Sequence, residues 1–415
     1  MRVLISAIAC HPHWGSEAYF GWSAINALAH RHDLTVLTHS GGIEDIERVA
    51  RLAPPLDKVR FVGVGQPIAW HPNRMLARLQ SWRQYAIWCK QAHETAAQLL
   101  KSERFDLGHH VTYSTWRQPS PLAHLGIPWI LGPIGGGEKF PAHFRSTLSL
   151  QSRLFELARE ASSRFAMRSG RLKSAVQSAD FVLASTPETR ELVRSMGALP
   201  DRIGLAPAAF LHSERIKLFK PDRPKDHSAD LRIFAGGNLE GRKGLALASR
   251  ALARLRDRGV SFTFTFGGYG PELLYLKKLA AKLSLDSPLV TFRESFPLDE
   301  YRTILRNTDV YLLPSLRESG GLTLGEAMLA GCVPVVVKAG GPGLLVTPDC
   351  GYAFEPDSPE HLVEQLTGAL QFLWSNPEHR ALLSNNAVAR AEAALSEDRY
   401  LASVENAYRA CVKAG

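Results

Sequence analysis

Cysteine is scarce in this 415-residue chain: Cys10, Cys89, Cys332, Cys350 and Cys411 are scattered, odd in number, and form neither a CxxC pair nor a metal-ligand spacing. That pattern excludes a disulfide framework or a zinc ribbon and points to a reducing compartment. Long apolar runs are missing too, with nothing near the ~20 residues of a membrane span. Any attachment to a membrane would be peripheral. The opening MRVLISAIAC has one basic residue and no cleavage region of small residues before HPHWGSE, so it reads as a first strand rather than an export signal. There is no short-period repeat, no low-complexity stretch, and no DxD or His/Asp cluster at a strand end that would suggest a metal. No metal or cofactor is expected.

What is present is a basic globular chain. The formal charge is +9 and the pI about 9.4, which suits anionic partners without choosing among nucleotides, nucleic acid or acidic lipid. The excess concentrates in two places. Residues 151–175 hold five arginines and a lysine beside two acids, and residues 73–90 interleave Arg74, Arg78, Arg83 and Lys90 with apolar and aromatic side chains. Such segments either lie on an anionic membrane surface or form ordinary amphipathic helices with a solvated basic face.

Length favours two domains of roughly 200 residues. Short apolar runs alternate with helical patterns at 2–8, 33–39, 59–65, 106–111, 128–133 and 181–186, the signature of strands buried on both faces of a parallel sheet. The polar, proline-bearing FKPDRPKDHSADL at 219–231 interrupts the rhythm and reads as a linker. The rhythm then restarts with runs at 231–237, 262–268, 289–294, 309–315, 333–338 and 351–356. Two tandem Rossmann-like, doubly wound α/β domains are expected, one over 1–215 and one over 216–390.

Ligands of open parallel sheets bind beyond the carboxyl ends of the strands, where loops enter helix N-termini. In RESGGLTLGEAMLAGC, Glu318 falls in such a loop, the helix is expected to begin near Leu322 or Thr323, Glu326 lies about one turn into it, and Gly331 ends it. Gly320 and Gly321 would let backbone approach a ligand closely. Carboxylates so placed accept hydrogen bonds from vicinal hydroxyls, which suggests sugar and ribose. On the same side, GNLEGRKG places Asn238, Arg242 and Lys243 at a helix start, suited to a diphosphate, and GYGP adds Gly268 and Gly270. Earlier in the chain Gly15 and Ser16 precede a helix, Gly135, Gly136, Gly137 and Glu138 follow a strand, and His109 and His110 end another. Strand alternation would aim only one of those histidines outward.

The spaced motifs over about 231–356 resemble those of the retaining nucleotide-sugar glycosyltransferases of family 4, which have the GT-B architecture of two Rossmann-like domains with a cleft between them. The E-x7-E pattern is Glu318 and Glu326, the GxGP turn is GYGP at 268–271, and the glycine–basic loop is 237–244. The resemblance implies that Lys243 neutralises the donor diphosphate, helped by Arg242, Asn238, Gly15 and Ser16. It implies that Glu318, Ser319, Gly320 and Gly321 orient the transferred sugar, and that Glu326, Leu322, Gly268 and Gly270 serve the ribose and base. A closing helix from about 390 to 415, with Tyr400 and Tyr408, would return to the first domain. Asn238 stands where the family usually has arginine, and GPIGGG stands where it often has a histidine, leaving His110 as the substitute catalytic candidate beside Glu318 and Lys243.

The function so implied is a retaining, metal-independent glycosyltransferase moving a sugar from a nucleotide diphosphate sugar to a glycan or lipid-linked acceptor, in cell-envelope or exopolysaccharide assembly. A nucleotide-sugar 2-epimerase of the same fold and a non-catalytic sugar-nucleotide-binding relative are the alternatives. Expected partners are the nucleotide sugar, the acceptor and an anionic membrane surface, not nucleic acid; the expected place is the cytoplasm or the inner face of the cell membrane.

Overall fold

A computed structural model describes residues 1–14, 16–66, 74–221, 230–285 and 287–413. Gly15 and most of the 219–231 linker lie outside the described residues. The chain forms two compact units. The first comprises 1–137, 163–210 and 397–415, and the second 138–162 and 211–396. The first-domain boundary expected at 215 therefore misses one exchange: residues 138–162 belong to the second unit.

The first unit is built on a seven-stranded parallel sheet: β1 (Arg2–Ala7), β2 (Asp33–His39), β3 (Arg60–Val64), β4 (Leu107–Thr112), β5 (Trp129–Ile134), β6 (Phe181–Ala184) and β7 (Ile203–Leu205), in the order β3-β2-β1-β4-β5-β6-β7. The central strands β4 and β5 are buried at every position because both faces are covered. Val3, Ile5 and Ala7 enter one core while Leu4 enters the other, as period-two alternation requires. The helix Glu397–Lys413 packs into the first of these cores through Tyr400 and Tyr408, both fully buried.

The second unit has a six-stranded parallel sheet: β8 (Leu231–Gly236), β9 (Phe262–Gly267), β10 (Val290–Arg293), β11 (Val310–Leu313), β12 (Val333–Val337) and β13 (Tyr352–Phe354), ordered β10-β9-β8-β11-β12-β13. In β11, Val310 and Leu312 face one core and Tyr311 and Leu313 the other. The strand order reverses between β8 and β11, which pair at Val310↔Ile233 and Tyr311↔Phe234. At such a reversal the following loops diverge and leave a crevice open to a ligand.

Candidate active site

The loops that leave β8 and β11 are held together at the switch point. Residues 237–244 end in a 3-10 turn, Gly241–Lys243, that enters the helix Leu245–Asp257. Residues 314–321 lead into the helix Leu322–Leu329. The Leu316 amide donates to the Arg242 carbonyl at 2.8 Å, tying one loop to the other through backbone. Neither helix has a side-chain cap, since Gly244 and Gly321 occupy the N-cap positions, and their first N–H groups keep the anion-attracting character of helix starts.

The central feature is an ion cluster. Lys243 Nζ contacts Glu318 Oε2, Arg242 Nη1 donates to the same oxygen at 2.9 Å and to the Arg317 carbonyl at 3.0 Å, and Arg242 Nε donates to Glu240 Oε2 at 2.6 Å. Burial would push the Glu318 carboxyl up; Lys243 and Arg242 together outweigh it and hold the group down to about 2. Burial works against the Arg242 charge, and Glu318 with Glu240 overcomes it, raising its pKa. Glu318 is thus a carboxylate at neutral pH. Two cations and two carboxylates cancel, so the site carries positive groups at close quarters without net charge of its own. Arg242 points into this cluster, whereas Asn238 is exposed and bonds Glu240 at 2.9 Å.

Glu326 sits deeper. Only 3% of its side chain is exposed, and its Oε1 accepts from Nε and Nη2 of Arg215 at 3.0 and 2.5 Å. Burial raises its carboxyl, with Arg215 opposing. Arg215 stands in the helix Ser213–Phe219, 111 residues away in sequence, and no local pattern marks it. Leu322 packs partly buried at the edge of the adjoining core.

Residues 138–162 brace the 315–321 loop from within the same unit. Ser319 Oγ donates to Glu138 Oε2 at 2.5 Å, and Arg317 Nη2 donates to Glu156 Oε1 at 2.7 Å. The Gly341 amide donates to the Glu318 carbonyl at 2.9 Å, and a Cβ on Gly341 would collide with the Gly320 carbonyl. A Cβ on Gly340 would likewise strike the Glu318 carbonyl, so this packing accounts for Gly340 and Gly341. Gly320 differs, because a Cβ there would meet nothing within 4 Å. Its openness faces space and not protein.

Several expected site residues have other work. A Cβ on Gly268 would strike the Gly237 carbonyl and one on Gly270 the Leu239 carbonyl, so these glycines are required by loop packing. Gly137 abuts the Thr189 backbone, with its amide donating to Thr189 Oγ1 at 3.1 Å; Gly136 accepts from Trp116 Nε1 at 3.0 Å, and Gly135 bridges to Thr115. His110, the expected catalytic candidate, lies in the first unit. It is buried, with Nδ1 3.1 Å from Ser6 Oγ and Nε2 3.3 Å from the Tyr113 carbonyl, and burial lowers its pKa to about 4. His109 is held likewise by Tyr408 and the Gly132 carbonyl. Both are neutral core residues. Alternation fails to expose either because the strand is covered on both faces. Ser16 opens the helix Ser16–Ala29.

A parallel 3-2-1-4-5-6 sheet with two cations and two glycine loops at its switch point defines a Rossmann-type domain. Residues 219–390 match the model of the family described as glycosyl transferases group 1. The D-inositol 3-phosphate glycosyltransferase of Pseudarthrobacter chlorophenolicus is 27% identical over 250 residues, 55% of this chain and 56% of that protein. A putative colanic acid biosynthesis glycosyltransferase of Escherichia coli is 29% identical over 161 residues, 37% of this chain and 39% of that one. The chain thus matches about half or less of these relatives' lengths. The Anabaena HepE structure, in complex with UDP and glucose, shares the fold over 98% of this chain and 99% of its own, at TM-score 0.62 and 17% identity. The architecture is GT-B: two Rossmann-like parallel α/β units in tandem.

Proposed function

We propose that the chain is a retaining, metal-independent glycosyltransferase that moves a sugar from a nucleotide diphosphate sugar to a glycan or lipid-linked acceptor in surface polysaccharide or glycolipid assembly. The observation that carries this reading is the placing of Lys243 and Arg242 together against Glu318, beside two uncapped helix starts. The donor diphosphate would lie at those helix starts and take up the two cations. Glu318 and the open backbone at Gly320 would receive the sugar hydroxyls, with Ser319 and Gly321 completing that edge, and Glu326 would receive the ribose hydroxyls.

In the reaction the bond from the sugar's anomeric carbon to the diphosphate oxygen breaks, and the electron pair leaves with the diphosphate. Lys243 and Arg242 stabilise that developing charge. The acceptor oxygen bonds the anomeric carbon on the same face, and its proton passes to the departing diphosphate oxygen. Charge neutralisation by these two side chains is the reason for assigning the step without a metal. The UDP held by the Anabaena protein makes UDP-sugars the first donors to test.

The acceptor is assigned to an anionic membrane surface on the helix Leu150–Ala166. Its outward side carries Leu150, Leu154 and Leu157 with exposed Arg153, while Ser152 and Glu156 face inward. An apolar stripe edged by arginines matches an anionic lipid surface. The other basic segment fits less well, because Tyr85, Trp88 and Cys89 pack into the first unit's core; Arg74 and Arg78 have side chains outside the described residues. Among the described residues no helix is long and apolar enough to cross a membrane.

The test is a panel of UDP-, GDP- and ADP-sugars scored by ligand-induced thermal shift, followed by the anomeric configuration of any transfer product. A shift with one donor and a retained configuration support the reading. No shift with any donor refutes it.

A further inference from the structure

Arg215 belongs to none of the expected motifs and stands before the stretch that matches the family. It nevertheless makes the closest contact to one of the two motif carboxylates. Its Nε and Nη2 both donate to Oε1 of Glu326. The arginine is itself anchored: its guanidinium carbon lies 5.5 Å from the ring centroid of Phe219, which is fully buried.

The surroundings of Glu326 make this contact consequential. Tyr301 from the helix Leu298–Arg306 and Tyr311 from β11 lie beside it, and Cys332 and Glu318 adjoin those tyrosines. The helix Pro377–Ala394 presents Ala387 and Ala391 to the same core. These groups are neutral or negative at neutral pH, and Arg215 is the cation among them. A carboxylate enclosed in this way without a cation takes up a proton, and a protonated carboxyl is a poor double acceptor for a pair of hydroxyls.

Building on the donor-site reading above, we propose that Arg215 is a positioning residue that keeps Glu326 ionised and fixes one of its oxygens, so that the other is presented to the vicinal hydroxyls of the donor's ribose. The helix Ser213–Phe219 is on this account part of the nucleotide site, though it lies outside the family stretch. Arg215 itself touches neither the sugar nor the diphosphate.

The experiment compares binding of a nucleoside diphosphate and its 2′-deoxy counterpart, using whichever of UDP, GDP and ADP the full chain binds, to wild type, Arg215→Gln, Arg215→Lys and Glu326→Gln. Wild type is expected to prefer the ribonucleotide by about tenfold, the scale of a hydrogen bond to a charged group. Arg215→Gln should lose most of that preference near pH 7 and regain part of it as pH rises and the buried carboxyl ionises unaided. Arg215→Lys should keep the preference. The Arg215 proposal is overturned if Arg215→Gln keeps the wild-type preference at every pH while Glu326→Gln loses it. If Arg215→Gln does not fold, a Lys variant that folds yet loses the preference as fully as Glu326→Gln overturns it. If wild type shows no preference, or Glu326→Gln retains it, the assignment of Glu326 to the ribose is what fails.

Discussion

The ammonium of Lys243 is in direct contact with the carboxylate of Glu318, although the two stand 75 residues apart in the chain. They meet because β8 and β11 are sheet neighbours and each sends its following loop to the same end of the sheet. In the proposed reaction this contact is remade, with the lysine turning from the carboxylate to the departing diphosphate. Lys243→Ala is expected to lower transfer by about 100-fold or more, the scale of removing one preorganised charge from a developing anion. Thermal unfolding should change little, since Arg242 still pairs with Glu318. Parallel measurement of turnover and melting temperature checks this.

Acid stability carries two separable steps. Glu318 is held down from 4.5 to about 2, so its stabilising contribution is complete above pH 4.5 and disappears as pH falls toward 2. Burial lowers His109 and His110 from 6.5 to about 4, so the fold loses stability as pH falls from 6.5 toward 4, where the unfolded chain binds protons that the native state refuses. Denaturation midpoints measured against pH should show both windows. Glu318→Gln should flatten the lower one and leave the upper unchanged.

Two neighbouring glycines should behave oppositely. Gly320→Ala meets open space and is expected to melt close to wild type while weakening nucleotide-sugar binding by about tenfold or more through obstruction of the backbone. Gly341→Ala would drive a Cβ into the Gly320 carbonyl and should lower stability by about 1–3 kcal/mol, the usual cost of overpacking. Melting curves and ligand titrations of the two variants separate packing from recognition.

Strands such as β5, β11 and β12 were legible because burial on both faces leaves apolar runs, and the helix after Gly321 begins at Leu322, where its pattern starts. The strand β7 was not legible, being three residues, Ile203–Leu205, at the sheet edge. Glu318, Lys243 and Arg242 could be read as one group from the rule that loops at one sheet end converge. Arg215 could not, since its partner is 111 residues distant and nothing near it marks a ligand site. The bracing of Arg317 by Glu156 and of Ser319 by Glu138 was hidden for a related reason. Strand alternation assigns residues 138–162 to the first half, and only tertiary packing places them in the second unit. The burial of His110 was not legible, because a strand-end histidine looks the same in sequence whether it faces solvent or the core.

The membrane contact proposed for the helix Leu150–Ala166 predicts sedimentation with vesicles rich in phosphatidylglycerol and little with pure phosphatidylcholine. Leu154 is 59% exposed, so Leu154→Glu should leave the fold intact while reducing vesicle binding. Equal binding of wild type and variant to the anionic vesicles would argue for a soluble glycan acceptor.

The central claim is that the β8 and β11 loops of the second unit hold the diphosphate of a nucleotide sugar. Calorimetric titration of nucleoside diphosphate sugars into wild type and Lys243→Ala tests it most directly. The account predicts saturable binding by wild type for at least one base and an affinity lower by about tenfold or more in the variant, the weight of a charge-assisted contact to phosphate. Equal affinity in the two proteins would contradict it.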